Sequence, residues 1–272
     1  MSLNVLTHTL SGIGSVAGEG GFQTPGVEAF WWPLIGEGAM AFTRPALVLL
    51  LSVGMIAWFF AGTARLSVVP TKRQFMVEGV YNFVRNTIGR DIIGSKDFIQ
   101  FLPLLLTLFS LILLNNVFGI LPFIQYPTMS RLGVPLVLTL IVYIVYHTVA
   151  IRRKHGVLPY LKSLVPPGLP GWLKPILFVL EFLTYFLIRP LTLALRLMGN
   201  MLAGHLMLLV FILGGEYLLL HGENLFLNFS GILAFGFSIG MSFFELLIEF
   251  LQAFIFTLLA ALYISDAVSE HH

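Results

Sequence analysis

Two uninterrupted apolar runs, residues 175–213 and 225–267, constrain the fold of this 272-residue chain more than any other feature. Each run has about 40 residues and would be about 60 Å long as a helix, whereas the hydrocarbon core of a membrane is roughly 30 Å thick. Each could hold two ordinary spans or one strongly tilted helix. Two spans would need polar turns near residues 195 and 246, where we find no turn cluster, and a tilt of about 60° exceeds the usual range. The residues alone leave both possibilities open.

Composition places the chain among polytopic membrane proteins. Hydrophobic residues make up 57% of the chain, charged residues 10%, and the mean hydropathy is +0.92, values typical of a membrane protein rather than a soluble domain. The net charge of +2 comes from scattered basic residues, so no nucleic-acid partner is expected. The absence of cysteine excludes structural disulfides and thiolate metal sites. No positive segment precedes a short apolar run at the N-terminus, so we expect no cleavable signal peptide.

The apolar runs predict an all-α polytopic membrane protein with about five transmembrane helices. Residues 70–92 mix basic side chains with apolar ones at helical spacing, which is typical of an amphipathic helix lying in the membrane interface. Residues 1–44 are Gly-rich and form a predicted N-terminal tail, and residues 45–272 form a single membrane domain. The predicted spans are 45–62, 98–121, 133–151, 175–213 and 225–267.

Basic residues orient these spans. Six of them between the first and second spans, and five between the third and fourth, would share one side of the membrane. Only Arg44 and Arg131 would lie in loops on the other side. Because cytoplasmic loops carry the excess of Lys and Arg, we expect the tail and N-terminus outside and the C-terminus in the cytoplasm.

Arg196 stands inside the first of the two long apolar runs. A cation at bilayer depth costs from about 2.5 to about 17 kcal/mol, depending on the scale, so it persists only with a partner or a path for water. Helical spacing puts Asn200 and Ala203 within about 40° of Arg196, with Gly199 close by. Small residues on one stripe allow a second helix to approach closely. The pattern predicts a guanidinium on a face that contacts a neighbouring helix.

Polar residues also recur along the last run. Their spacings of four and three residues place them in one wedge of about 80° on a helix. Such a wedge could be a polar seam between two helices or the wall of a water path, and two acids four residues apart favour water. The residues are Ser238, Ser242, Glu245, Glu249 and Gln252.

Other polar residues in the apolar runs have two possible roles each. His205 lies about 180° around the helix from Arg196, where it could belong to a proton path or simply be a hydrogen-bonded packing residue. Asn115 and Asn116 could line the same path or cap the end of the second span. Glu181 could mark a second aqueous path or be an interfacial carboxylate. The remaining histidines, His147 among them, lie at ends or in loops or lack partners, and are assigned no role.

Two segments carry a family resemblance. RPLTLALRLMGNMLAG (189–204) and LIEFLQAFIFTLLAALYIS (247–265) resemble subunit a of the F-type ATP synthase, the membrane stator beside the rotor ring. A weaker match follows from VPTKRQ and LLNNVFGILP between residues 66 and 130. The resemblance implies that each long run is one slanted helix, the two forming a hairpin that curves around the ring. This resolves the ambiguity that the residues left.

The resemblance also implies a function, partners and site residues. Two offset half-channels would pass protons to and from carboxylates on a ring of small c-type rotor subunits, with Arg196 as the essential charge that separates them. We further expect b-type peripheral-stalk subunits and membrane lipid as partners, the bacterial plasma membrane as location, and no cofactor, metal or catalysis by the chain itself. The expected proton-path residues are His205, Glu245, Glu249, Gln252, Asn200, Asn116, Ser242 and Glu181.

The chain departs from the family pattern in ways that bear on this path. Many members have an acid where His205 stands and a His where Glu245 stands, so this chain resembles a branch with the two exchanged. Gly119 and Ser130 replace common acids. Facing residues of antiparallel helices have a nearly constant sum of sequence numbers. Because the family places Gln252 near Arg196, that register predicts that His205 faces Glu245.

Enzyme and transporter alternatives are weaker. HGEN (221–224) lacks the spacing of an HExxH metal site, and we find no phosphate-binding loop or G-x-S-x-G serine. The runner-up is a self-contained ion-coupled transporter, which also uses buried Arg, Glu and His. Such a protein would be expected to show inverted repeats and interrupted helices, and the sequence displays neither.

Overall fold

The structure is a computed structural model that describes residues 33–35, 42–61, 70–121, 128–165, 170–221 and 224–269, with side chains from residue 46 onward. The predicted tail, 1–44, therefore lies mostly outside the described residues. In chain order the elements are β1 (Pro33–Ile35), β2 (Phe42–Thr43), α1 (Arg44–Ala61), α2 (Lys72–Phe83), α3 (Phe98–Ile120), α4 (Gly133–Arg153), α5 (Val157–Ser163), α6 (Lys174–Leu183), α7 (Arg189–His221) and α8 (Leu225–Val268). Three shorter helical segments join them: two π-helical segments, Val84–Ile93 and Thr184–Ile188, and a 3-10 turn, Thr128–Ser130.

The all-α class is confirmed. Apart from the short antiparallel ribbon of β1 and β2, the described elements are helical. Four described helices are long and apolar enough to cross a membrane, and each begins and ends within a few residues of its predicted span, except that the first long run continues to His221. The first predicted span is also helical, but its apolar stretch, Ala46–Ala61, is shorter than those four. The total of five spans stays a prediction.

Each long apolar run forms one continuous helical rod. Residues Lys174–His221 run without a break through α6, the π-helical segment and α7, and α8 alone has 44 residues. The two rods pack side by side and run antiparallel, since Arg189 near the beginning of α7 contacts Asp266 near the end of α8. Glycines let their backbones meet near the link, since a Cβ on Gly215 would lie 3.3 Å from the carbonyl oxygen of Gly231. The hairpin that the resemblance implied is therefore present.

The predicted interfacial helix is continuous from α2 into the π-helical segment Val84–Ile93. Its first half exposes Phe75 and Met76, as expected for a helix against lipid. Its second half instead packs against protein: Val84 and Ile88 are fully buried in the core. The apolar side chains predicted to face lipid therefore divide into two groups. Those at the beginning of the helix are exposed, and those further along pack against the protein core.

The core lies where α3, α4, α7 and α8 meet the end of the interfacial helix. Small residues of α8, including Ala253, Ala260 and Ala261, are fully buried and let the neighbouring helices approach closely. The outward faces of the helices expose large apolar side chains such as Ile144 and Phe243. An apolar exterior around a packed interior is the arrangement that a lipid solvent requires.

Candidate functional site

A cleft of about 200 Å³ lies between α7 and α8. Most of its wall is apolar and includes three methionines, Met201, Met207 and Met241. Its polar residues come from three helices, and all of them were predicted as site residues from the sequence. They are Asn116, Asn200, Glu245, Glu249 and Gln252.

His205 and Glu245 face each other across the hairpin. The Nδ1 atom of His205 lies 3.7 Å from Oε1 of Glu245, and both side chains are at least 95% buried. Gly204 makes room for the carboxylate, because a Cβ at that position would lie 2.7 Å from the same Oε1 atom. The predicted pairing is confirmed, and its cause is the antiparallel register of the two long helices.

Glu249 lies one turn further along α8, on the same buried side. A Cβ added to Gly119 of α3 would lie 3.5 Å from Oε1 of Glu249 and 3.7 Å from Cε1 of His205. Gly119 therefore lies beside both side chains. Asn116 of α3 adds a polar contact by donating from Nδ2 to the backbone oxygen of Glu249 at 3.2 Å.

The carboxylates of this cluster are not satisfied by the protein. None of the four carboxylate oxygens of Glu245 and Glu249 accepts a hydrogen bond from a described residue, and each residue is only 4% exposed. A buried carboxylate without partners is costly, so such a group is neutralised or meets water. Within the described residues, the cluster lacks the hydrogen bonds that a structural polar contact would have.

Gln252 marks the other end of the cleft. Its Oε1 atom accepts a hydrogen bond of 2.7 Å from Nδ2 of Asn200, which lies one turn beyond Arg196. Gln252 is buried while Asn200 is exposed. This pair connects the interior of the cleft with the outer face of α7.

Arg196 occupies that outer face. Its side chain is exposed, as is Ala203, and a Cβ on Gly199 would meet nothing within 4 Å. Among the described residues Arg196 makes no ion pair or side-chain hydrogen bond. The predicted contact face is thus left open by this chain. A charge at membrane depth must be compensated by a group outside the chain or by water.

Besides Arg196 and His205, two further predicted site residues, Ser242 and Glu181, do not line the cleft. Ser242 donates its hydroxyl to the carbonyl of Ser238 on its own helix at 2.9 Å. Glu181 is half-buried on α6, away from the residues that line the cleft.

Asn115 and Asn116 separate into different roles, which the sequence had left open. Asn115 is fully buried, donates to Oγ of Ser52 at 2.8 Å and accepts from Oγ1 of Thr128 at 2.9 Å. It therefore ties α1 and the 3-10 turn to α3, whereas Asn116 belongs to the cleft.

Sequence reasoning missed an ion pair near the other end of the hairpin. Arg189 lies 3.0 Å from Asp266, and its guanidinium lies over the rings of Tyr185, at 3.7 Å, and Tyr263, at 4.8 Å. The signal that could have revealed the pair is the register already used for His205 and Glu245, because it brings the end of α8 opposite the beginning of α7.

His147, to which the sequence analysis assigned no role, has a hydrogen-bond partner. It is buried on α4, and its Nδ1 atom lies 2.9 Å from the hydroxyl of Tyr160 on α5. Burial raises the pKa of Tyr160 to about 12, so this hydroxyl stays protonated at physiological pH. In the part of the chain that the structure describes, no group of three or more His, Cys, Asp or Glu residues is arranged to hold a metal ion.

Comparisons with known proteins agree with the geometry. A family model described as "ATP synthase A chain" matches residues 46–265. A Nocardioides protein named "ATP synthase subunit a" is 44% identical over 98% of this chain and all of its own length. Proteins of the same name from Pseudarthrobacter chlorophenolicus and Streptomyces lividans are 42% and 36% identical, each over at least 90% of this chain and of the relative.

Proposed function

Because this chain belongs to the ATP synthase A chain family, whose members are components of the F-type ATP synthase in the membrane, we propose that it is the proton-conducting stator of that complex. In this proposal it provides two offset half-channels that pass protons to and from carboxylates on a ring of c-type rotor subunits. ATP chemistry takes place on other subunits. The observation that carries the proposal is an outward-facing, unpaired Arg196 beside a cleft that leads to buried carboxylates.

Arg196 acts by charge. A guanidinium stays protonated at any accessible pH, so it favours the ionised form of a ring carboxylate that comes to face it and drives the proton of that carboxylate into the exit path. As a fixed cation between the half-channels, it also prevents a proton from passing straight through the membrane. Each charge that moves through 100 mV yields about 2.3 kcal/mol, which biases rotation when several steps are summed.

The cleft supplies the outer half-channel in this proposal. His205 and Glu245 form a relay that hands protons from the outer aqueous phase to Glu249, whose carboxylate accepts no hydrogen bond from the described residues. The amides of Asn116, Asn200 and Gln252 line the way to the ring-facing surface. Ser242 contributes to the polar side of α8, and Glu181 marks the inner half-channel, on the opposite side of Arg196 along the chain.

The surroundings of the subunit follow from the same proposal. The open stripe at Arg196, Gly199 and Ala203 meets the ring, b-type subunits of the peripheral stalk bind elsewhere on the helices, and lipid covers the remaining apolar surface. The chain lies in the bacterial plasma membrane with its N-terminus outside and its C-terminus in the cytoplasm, as the distribution of basic residues favours.

The test replaces Arg196 in the complete complex. In inverted membrane vesicles, Arg196→Ala should abolish ATP-driven acidification while the amount of assembled complex stays unchanged, since the side chain is not a packing contact within this chain. Arg196→Lys should also fail, because an ammonium lacks the planar fork and can lose its proton when desolvated. Arg85→Ala, which removes an exposed cation from the interfacial helix, is the matched control. Near-normal pumping by Arg196→Lys would refute the electrostatic gate.

A further inference from the structure

The helix that carries Arg196 contains a π-helical segment, Thr184–Ile188, in which the backbone is locally wider than an α-helix. Its sequence explains why. Pro190 has no backbone N–H, so it cannot donate a helical hydrogen bond. The backbone N–H of Arg189 bonds five residues back, to the carbonyl of Thr184, in place of the α-helical carbonyl of Tyr185. The carbonyl oxygen of Tyr185 therefore accepts no helical hydrogen bond from Arg189. Pro190, the next residue, has no N–H to donate to it either.

A side chain from another helix satisfies this carbonyl. The hydroxyl of Tyr146, on α4, donates to the backbone oxygen of Tyr185 at 2.8 Å. Tyr146 is 98% buried, so this bond forms away from water. π-Helical turns are stable where a neighbouring group takes up the freed backbone atom. Tyr146 thus holds the segment from the side of α4.

The same segment is also held by α8. Arg189, the first residue after the π-helical turn, pairs with Asp266 at 3.0 Å, and its guanidinium lies between the rings of Tyr185 and Tyr263. The side chain of Arg189 is 17% exposed, so this charge is compensated almost entirely within the chain. Two helices therefore fix the same turn of the rod.

The position of this turn matters because Arg196 comes only seven residues after Arg189, about two helical turns. A π-helical turn places about one extra residue in the helix, and one residue corresponds to about 100° of rotation. Whether the turn is π-helical or α-helical therefore decides which way the rest of α7 faces. The open stripe of Arg196, Gly199 and Ala203 points outward only with the turn as it stands.

We propose that Tyr146 and Asp266 are positioning residues for Arg196: by pinning the π-helical turn Thr184–Ile188 from α4 and α8, they fix the rotation of α7 that presents Arg196 outward. The inference rests on the proposed function only in its consequence for pumping. Its structural content, the rotation of α7, can be measured independently.

The experiment measures that rotation in the assembled complex in lipid. The chain has no cysteine, so spin labels can be attached to this subunit at two introduced cysteines. Leu213 on α7 and Leu140 on α4 are exposed, and Leu213 lies about 100° around the helix from Arg196, away from its stripe. The distance distribution between the two labels is recorded by pulsed electron resonance in Tyr146→Phe and Asp266→Asn, and ATP-driven pumping is measured beside it.

Each variant has a matched control. Tyr143→Phe removes a hydroxyl one turn earlier on α4 that does not bond Tyr185, and Asp97→Asn breaks the ion pair with Arg153 at the surface. We expect Tyr146→Phe and Asp266→Asn to shift or broaden the distance distribution, with the ratio of the two rotational states changing about fivefold for one lost hydrogen bond, and to lower pumping. Asp266→Glu, which keeps the charge, should restore most of both. The two controls should change neither.

Three results would overturn the proposal: an unchanged distribution in both test variants, a shift that the controls share, or an Asp266→Glu variant no better than Asp266→Asn. If Asp266→Asn does not assemble, Tyr146→Phe decides alone, because it removes a single oxygen atom. If Arg196→Ala pumps normally, the proposed function fails, and the distance measurement still decides the positioning role. If Arg196 is required and the distances do not move, only the positioning role fails.

Discussion

Arg189 and Arg196 lie seven residues apart on one helix but have opposite surroundings. Arg189 has an ion pair at 3.0 Å and two aromatic rings against its guanidinium, with only 17% of its side chain exposed. Arg196 is exposed and makes no ion pair or hydrogen bond with the described residues. The acids differ in a similar way: Asp266 forms the ion pair with Arg189, whereas Glu249 is buried and its carboxylate accepts no hydrogen bond from a described residue.

The contrast teaches how to tell a structural charge from a functional one. A charge at membrane depth is costly for either arginine. For Arg189 the chain itself supplies the compensation, so this charge holds two helices together. For Arg196 the compensation must come from outside the chain, so its energy depends on what faces it. Only a charge of the second kind can change its interactions during a transport cycle.

The largest expected effect on the free energy of unfolding comes from comparing Arg189→Ala with Arg196→Ala. Removing one partner of a buried ion pair costs about 3–5 kcal/mol; Arg189→Ala should fall at the lower end because Asp266 is 34% exposed. Arg196→Ala should cost less than about 0.5 kcal/mol, as for other exposed positions. Thermal unfolding of the purified subunit in detergent would measure both. Equal destabilisation by the two variants would remove the distinction between them.

The second prediction compares two glycines on α7. A Cβ at Gly204 would lie 2.7 Å from Oε1 of Glu245, whereas one at Gly199 would meet nothing within 4 Å. Gly204→Ala should therefore destabilise the subunit by about 1–3 kcal/mol, the usual cost of overpacking. Gly199→Ala should leave its unfolding temperature unchanged or raise it, since Ala favours a helix over Gly. A stable Gly204→Ala subunit would show that the carboxylate moves aside freely.

Much of this arrangement follows from the sequence because it depends on helical periodicity. The absence of polar turns inside the long runs, joined to the family resemblance, predicts continuous helices, and their antiparallel register predicts that His205 faces Glu245. The helical period follows from the residues alone, the register follows from the family resemblance, which places Gln252 near Arg196, and both apply along the whole hairpin. For the same reason the pairing of Arg189 with Asp266 was within reach of sequence reasoning, although it was missed.

The features that could not be predicted from the sequence depend on contacts with a third helix or on the conformation of a single backbone turn. Pro190 can end a helix, kink it or induce a π-helical turn, and the choice depends on Tyr146 being in place to bond the freed carbonyl. Asn115 and Asn116 are about 100° apart on one helix, so they meet different neighbours that no local pattern identifies. The partner of His147 lies on a different helix, beyond the end of α4.

A smaller effect is expected from exchanging the facing pair of the cleft. His205→Glu and Glu245→His should each slow proton flux, because each leaves two like groups facing each other at the 3.7 Å contact. The double exchange should recover about fivefold over the worse single variant, a coupling of about 1 kcal/mol between residues in contact. Passive proton flux through the membrane sector after removal of the soluble subunits would measure this. A double variant no better than the worse single variant would show that the residues do not work as a pair.

The smallest expected effect concerns Ser242, a predicted path residue whose hydroxyl is already used within its own helix. It donates to the carbonyl of Ser238 at 2.9 Å, and a hydroxyl that bonds back to the preceding turn adds little to helix stability. Ser242→Ala should therefore change the free energy of unfolding by less than about 0.5 kcal/mol, since Ala has the higher helix propensity, and should leave proton flux within about twofold of the original. Asn116→Ala is the matched comparison, because Asn116 lines the cleft and donates to the backbone of Glu249; its loss should cost about 1 kcal/mol and slow the flux more. A larger loss of flux in Ser242→Ala than in Asn116→Ala would mean that protons pass along the side of α8 that carries Ser242. Whether a polar group is hydrogen-bonded within the chain would then not distinguish structural residues from residues of the proton path.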